Sequence, residues 1–535
     1  MSVNKHGMYH DVDKKCLKID NQSDQASSIV ESARILAVYP CPSISHQVVF
    51  RPLTLELLKL GHEVIVVTPD PMFPKYGAPP NLTEIDIHES YEMMQKTMAA
   101  SVSDDPESLF DHLNVAVAMN EFINTQTEFV VKTKQFQDLL NEIKTKKFDL
   151  LMIEALFTPM LALTDLTKAP TILVSSLGPF FGNYEMMGAP TTPLLYHHVF
   201  SNRLYNLNLW EKASELYNKL QIDFNNNMIE KSTNDLLKRI FGSDIPPLNV
   251  LRDNVDMLFV NLNPIWEGNY PVPPNVIHMG GLHQKPPKPL PQNLQQYLDA
   301  SENGVIYFSF GTNVNTSLLP LEKMAVFQKV FAELPYNVLW KMNNDEFPVK
   351  SDNVKIFKWL PQADLLRHPK IKMFITQGGL QSTDEAITAG VPLLGVPIMG
   401  DQRYNVEKYE HHKIGVRLMF KDVTETNLKN AILELVENQS YRDNIVRLRT
   451  RMEDQPQTPL ERAIWWIEYV LRHGGAKHLR APAANLSWIE YYEVELVSYL
   501  FVVLLFFISL TFLIIRYLVS FVLKVSSIKG KLKKL

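Results

Sequence analysis

Short, unbroken apolar runs alternate with longer stretches of mixed polarity through most of this chain. ILAVY (35–39), VIVVT (64–68), LLMI (150–153), ILVS (172–175) and MLFVN (257–261) each have the length and composition of a strand buried on both faces, as in a parallel sheet. The alternation stops at residues 284–292, where Pro286, Pro287, Pro289 and Pro291 rule out helix and central strand and predict a stiff linker. It restarts with VIYFS (305–309), VLW (338–340), VKIF (354–357), KMFI (372–375) and PLLGV (392–396). Two α/β halves joined by one linker predict two doubly wound domains facing a cleft, over residues 33–283 and 293–480.

The pattern changes again towards the C-terminus. AIWWIEYVL (463–471) reads as an amphipathic helix stopped by Gly474-Gly475, with Trp465 and Trp466 as packing residues. A juxtamembrane segment (481–495) then leads to residues 496–515, which carry no charge and are long enough to cross a bilayer, with a possible extension to 523. Trp488, Tyr491 and Tyr492 precede this span as interfacial aromatics, and Arg516, Lys524, Lys529, Lys531, Lys533 and Lys534 follow it without an acidic residue. Membrane lipid is therefore an expected partner, and the basic tail (524–535) should face the cytosol. Residues 1–32 form a polar leader with no apolar stretch resembling a signal peptide.

Composition narrows the function mainly by exclusion. With 535 residues the chain exceeds one ordinary core, and a formal net charge of -5 gives no electrostatic case for a nucleic-acid partner. Cys16 and Cys41 are the only cysteines, too few for a disulfide framework or thiolate metal cluster. The only D-x-D, Asp11 to Asp13, falls in the polar leader, and the pairs His197-His198 and His411-His412 have the wrong spacing for one helical face. Both pairs read as surface residues. Asn81, Asn315, Asn438 and Asn485 open glycosylation-type triplets.

Candidate chemistry concentrates in FITQGGLQSTDEA (374–386) and PLLGVPIMGDQ (392–402). An apolar strand, a Gly378-Gly379 turn and a helix place backbone N–H groups and a positive helix end where a phosphate can approach. Elsewhere the residues leave alternatives open. His46, in PSISHQVVFRPL (42–53), follows the first strand and is either a base or a local cap. Glu154, in FDLLMIEA (148–155), is either a partner for that histidine or an acid favouring a helix start. Trp359, in FKWLPQADLL (357–366), would unaided read as core.

The spaced pattern from Phe374 to the Asp401-Gln402 pair resembles the UDP-glycosyltransferase family, and the resemblance covers most of the chain from Ala33. It implies a GT-B type architecture of two Rossmann-like domains, with UDP-sugar held by the second half and acceptor by the first. His46 would be the base and Glu154 would stand where relatives usually carry an aspartate. Trp359 and Gln362 would serve uracil and ribose, and Glu385 the ribose hydroxyls. Ser309, Gln377, Gly379 and Ser382 would cradle the diphosphate, Gln377 replacing a histidine found in many relatives. Asp401 and Gln402 would meet the transferred sugar. The implied reaction is inverting, metal-independent and cofactor-free transfer of a hexose, by likeness to arthropod members glucose, to small lipophilic hydroxyl acceptors. The resemblance also implies the endoplasmic-reticulum membrane with a lumenal body, Lys531 and Lys533 matching a dilysine-type signal, and is compatible with a homo- or hetero-oligomer. The rival reading is a nucleotide-fold binding protein that transfers nothing.

Overall fold

The computed structural model describes residues 32–532 apart from 75–76, 101–111, 181, 200, 202, 315, 317–318, 343–350 and 485. The polar leader with Cys16 and its D-x-D, the triplet asparagines Asn315 and Asn485, and Lys533 lie outside the described residues. The first half builds a parallel sheet from β1 (Arg34–Val38), β2 (Glu63–Thr68), β3 (Leu82–Asp86), β4 (Leu150–Glu154), β5 (Thr171–Ser175), β6 (Val255–Val260) and β7 (Val276–His278), in spatial order β3-β2-β1-β4-β5-β6-β7. The second half adds β8 (Val305–Ser309), β9 (Asn337–Lys341), β10 (Val354–Phe357), β11 (Ile371–Thr376), β12 (Leu393–Gly395) and β13 (Gly415–Arg417), in order β10-β9-β8-β11-β12-β13. Both sheets reverse direction beside their first strand. These reversals, β1/β4 and β8/β11, are where doubly wound sheets open a crevice at the carboxyl ends of their strands.

The central apolar runs became strands buried on both faces, with charged residues such as Arg34 in β1 and Lys372 in β11 reaching solvent. The strands that sequence reading did not find, β3, β7 and β13, lie at or beside the sheet edges; they are short or carry polar residues, so no continuous apolar run marks them. The proline segment is pinned rather than free. Lys288 N–H donates to Asp364 Oδ1 (2.8 Å), Arg367 donates to the Lys285 carbonyl (3.1 Å) and Gln284 donates to the Asp384 carbonyl (3.3 Å).

The two halves share one contiguous apolar cluster, which includes Leu262 and Trp266 from the first with Leu380, Val406 and Tyr409 from the second. Lys408 passes through this seam, its ammonium donating to the Trp266 carbonyl at 2.6 Å, and burial pushes its pKa down to about 7. The helix Pro459–His473 returns to the first sheet, where Ala463, Ile467 and Val470 pack with Ile35, Val49 and Leu53. Trp466 packs against that core and Trp465 stays half exposed. A final helix, Val494–Leu532, runs beyond the expected 496–515 at both ends; its apolar window is long enough to span a bilayer and is not buried against the rest of the chain.

Glu468 locks the returning helix in place. His62 is fully buried; its Nδ1 accepts from Ala33 N–H (3.1 Å), so its Nε2–H must be the donor to Glu468 Oε1 (2.7 Å). Glu468→Ala strands that N–H and is expected to remove about 1–3 kcal/mol of stability in denaturant unfolding. Glu468→Gln, which keeps an acceptor, should lose less than half as much.

Candidate active site

The loop after β1 leads directly into the helix Ile44–Lys59, and His46 stands in its first turn. Glu154 ends β4, the strand paired with β1, so the first switch point alone brings these residues together. His46 Nδ1 lies 2.6 Å from Glu154 Oε1, and Glu154 Oε2 accepts from Cys41 N–H at 3.0 Å. A carboxylate only accepts, so Nδ1 carries the proton and Nε2 is left as the basic nitrogen. Glu154 is 1% exposed and belongs to a strand, which removes its helix-start reading. Gln47 braces the turn by donating to the Tyr39 and Cys41 carbonyls, both at 3.0 Å, while its own carbonyl accepts from Thr68.

Ligating atoms of Cys41, His46 and Glu154 fall within 4.8 Å of one another, a donor set that invites a metal reading. Two ligands of one tetrahedral zinc sit about 3.3 Å apart, given metal–ligand bonds of roughly 2.0–2.1 Å. The 2.6 Å His46–Glu154 separation is instead that of a hydrogen bond, and burial raises the Cys41 pKa, keeping the thiol protonated. As arranged, the group is a hydrogen-bonded dyad.

The second switch point gathers the other residues. Ser309 ends β8, and its Oγ accepts from Gly311 N–H (3.2 Å). Gln377 follows β11 and lies against the β8 loop: a Cβ on Gly311 would come within 2.3 Å of its amide nitrogen. Gly378 (φ +93°) likewise has no room for a Cβ, which would meet Val406 at 2.3 Å. The Gly311 and Gly378 N–H groups are taken by Ser309 and Thr376, so the donors left for a phosphate are those of the first turn of the helix Leu380–Ala389, whose N-cap is Gly379. Gln362 joins three partners, accepting from Tyr307 Oη (3.0 Å) and donating to Ser382 Oγ (3.0 Å) and Glu385 Oε2 (2.8 Å). Burial raises the Glu385 pKa, with the Gln362 hydrogen bond working against that rise. Trp359 is 65% exposed, so it is a surface plate and not core.

Asp401 stands at the N-cap position of the helix Gln402–His411 without a side-chain capping bond, and accepts from Asn405 Nδ2 at 2.7 Å. Burial lifts its carboxyl to about 6, partly offset by Asn405 and backbone N–H groups. Gln402 is largely committed to its own loop: its Oε1 accepts from Ile398 and Met399 N–H, both at 2.8 Å, leaving its NH₂ to meet a ligand. A cavity of about 430 Å³ reaches this corner, lined by Asp401, Leu380 and Tyr404 together with Tyr184, His197 and Glu215. The expectation that both histidine pairs are plain surface residues holds for His411, which is exposed, and is corrected for the other three. His197 and His198 line the cavity, and His412 stacks on Trp266 at 5.5 Å.

A model of the family described as "UDP-glucoronosyl and UDP-glucosyl transferase" matches residues 34–529. The chain belongs to this family. It is 35% identical to the ecdysteroid UDP-glucosyltransferase of Spodoptera littoralis nuclear polyhedrosis virus, over 87% of this chain and 93% of that protein. It is 32% identical to UDP-glycosyltransferase UGT5 of Dactylopius coccus (89% and 90% covered) and 30% identical to human UDP-glucuronosyltransferase 2B7 (86% and 88%). Among solved structures, Arabidopsis thaliana UGT89C1 complexed with UDP-L-rhamnose superposes with a TM-score of 0.54 at 14% identity, covering 83% of this chain and all of that one. The glycotransferase of kitacinnamycin gives 0.55 at 18% identity, over 82% and 99%. Those likenesses carry the GT-B fold.

Two residues of this UDP-glycosyltransferase escaped the sequence reading. Lys341 ends β9, donates to the Gly311 carbonyl at 2.7 Å and sits 5.2 Å from the Trp359 ring centroid, with burial lowering its pKa. Gln381, in the first turn of the donor-side helix, reaches across the cleft. Its amide donates to the carbonyls of Ser45 (3.3 Å), beside His46, and Ser176 (3.1 Å) after β5. Ser43 Oγ makes a second crossing to Asn313 Oδ1 at 3.1 Å. Neither the Lys341 nor the Gln381 role has a motif, because the partners of Lys341 are distant in sequence and those of Gln381 lie in the opposite domain. Gln381→Ala is expected to lower kcat roughly 10-fold while leaving the KM for UDP-sugar within about 2-fold, since misplacement of reacting groups rather than donor binding is lost. Steady-state kinetics checks the split.

Proposed function

We propose that the chain catalyses inverting transfer of a hexose, glucose by preference, from a UDP-sugar to a hydroxyl of a small lipophilic acceptor. The observation that carries this is the buried His46–Glu154 dyad beside the donor-side switch point. In the step, His46 Nε2 takes the hydroxyl proton as the acceptor oxygen bonds to the anomeric carbon. The bond from that carbon to the diphosphate oxygen breaks, and UDP leaves with the electron pair. Glu154 stabilises the imidazolium as it forms. Ser309, Ser382 and the N–H groups of the helix turn after Gly379 meet the growing negative charge, with Gln377 supplying hydrogen bonds but no cation. Trp359 and Lys341 offer a plate and a positive charge for the uracil end, and Glu385 with Gln362 the ribose hydroxyls.

The preference for glucose follows the viral ecdysteroid UDP-glucosyltransferase, whose name also makes steroid-like acceptors a sensible class to test. No metal or cofactor is needed in this scheme, because backbone dipoles and the dyad supply charge stabilisation and base. The apolar C-terminal helix and basic tail support a single-pass protein of the endoplasmic reticulum with its body in the lumen.

Products formed on membranes carrying the chain, given UDP-glucose, UDP-glucuronic acid or UDP-galactose with a phenol and steroid panel, identify sugar and acceptor by mass spectrometry. His46→Ala should lose about 10²–10⁴-fold in kcat. Glu154→Gln, which offers Nδ1 an N–H and favours the wrong tautomer, should lose at least roughly 10²-fold. UDP binding without product in the wild type would sink the catalytic reading. Asp401 adds a pH signature. Its carboxyl is ionised above about 6 and takes a proton as pH falls through that value. UDP-glucose affinity, measured by calorimetry without acceptor, should weaken several-fold between pH 7 and 5. Asp401→Asn should bind weakly throughout, with that pH step removed.

A further inference from the structure

The helix Leu209–Phe241 shows a broad apolar face to its surroundings. Leu209, Trp210, Leu216, Tyr217, Leu220, Phe224 and Met228 are all exposed, Trp210 to 84% and Phe224 to 82%. At about 100° per residue they fall within an arc of roughly 120°, continuous over about five turns. The other side faces the domain, where Leu236 and Leu237 are buried and Thr233 bonds to Asn120 and Asn124. An apolar face of this length is unusual on a surface bathed only by water.

The neighbouring chain indicates what covers it. Arg480 docks the segment ahead of the membrane span onto the first domain, donating to the carbonyls of Asp253 (2.7 Å) and Met186 (3.3 Å). Leu486 then lines the same cavity as Lys219, Ile222 and Asn226 of this helix. The spanning helix starts at Val494. The intervening residues reach at most about 27 Å when fully extended. The bilayer surface therefore lies within that reach of a helix about 50 Å long.

We propose that the helix Leu209–Phe241 lies in the interface of the bilayer that the C-terminal helix crosses, with Leu220, Phe224 and Met228 among the acyl chains and Trp210 and Tyr217 at head-group level. Lys212 and Lys219 border the face beside Asp223, which pairs with Lys219 at 2.5 Å, so apolar insertion rather than attraction to anionic lipid drives the contact. The cavity that reaches Asp401 is then also lined by Lys219, Ile222 and Asn226 of a helix next to lipid.

The full chain, carrying Cys16→Ser and a nitroxide on Leu220→Cys or Phe224→Cys, can be placed in phosphatidylcholine vesicles; Cys41 is buried and stays unlabelled. Labels at both positions should collide several-fold more with oxygen, and several-fold less with a water-soluble nickel chelate, than a label on Glu437→Cys of the second domain. Nickel access equal to that at residue 437 would overturn the proposal. So would shielding from both reagents, the signature of a second copy covering the face. Raising the phosphatidylserine content should leave the ratio within about 1.5-fold, and a strong dependence on it would refute insertion as the driving contact.

Discussion

Packing across the seam between the two sheets is the constraint on which the rest of this molecule depends. Trp266 and Leu262 from one half meet Tyr409, Val406 and Leu380 from the other in a single apolar cluster, so the halves cannot slide without opening cavities. That register brings two sheet crevices mouth to mouth. His46 and Glu154 come from one, Ser309 and Gln377 from the other, and each pair is assembled by a strand order that owes nothing to its chemistry. The short polar bridges from Gln381 and Ser43 are affordable only because apolar packing has already brought their partners within reach.

Burial gives the site its electrostatic character. Glu154 and Asp401 sit where water cannot solvate them well, and Lys341 and Lys408 are likewise withdrawn from solvent. Each is held by a few hydrogen bonds: Glu154 by the imidazole and the Cys41 N–H, Asp401 by Asn405, Lys341 by the Gly311 carbonyl and Lys408 by the Trp266 carbonyl. A low-dielectric pocket strengthens the few hydrogen bonds it holds, and charge forming at a diphosphate there would be felt strongly.

Much of the architecture was legible in the chain because strands buried on both faces must be apolar throughout. The central strands, the linker, the amphipathic helix and the membrane-length helix all showed themselves by polarity alone. β3, β7 and β13 did not, since strands near an edge carry polar residues or only three positions. Within the site, residues tied to local turns, such as Gln377 after β11, were readable in sequence. Lys341 and Gln381 were not, since their partners lie 30 residues away or in the opposite domain. Trp359 shows the converse limit: a tryptophan next to Leu360 and close to Phe357 suggests core, yet its ring is open to solvent.

The proline segment and the returning helix have a mechanical consequence. The chain crosses between halves twice, once through residues 284–292 and once into Pro459–His473, and both crossings are fastened at their ends. Fastened at two places, the halves have less freedom to twist or shear past one another than a single linker would leave them, and the geometry between the two crevices is held by tethers that touch no ligand.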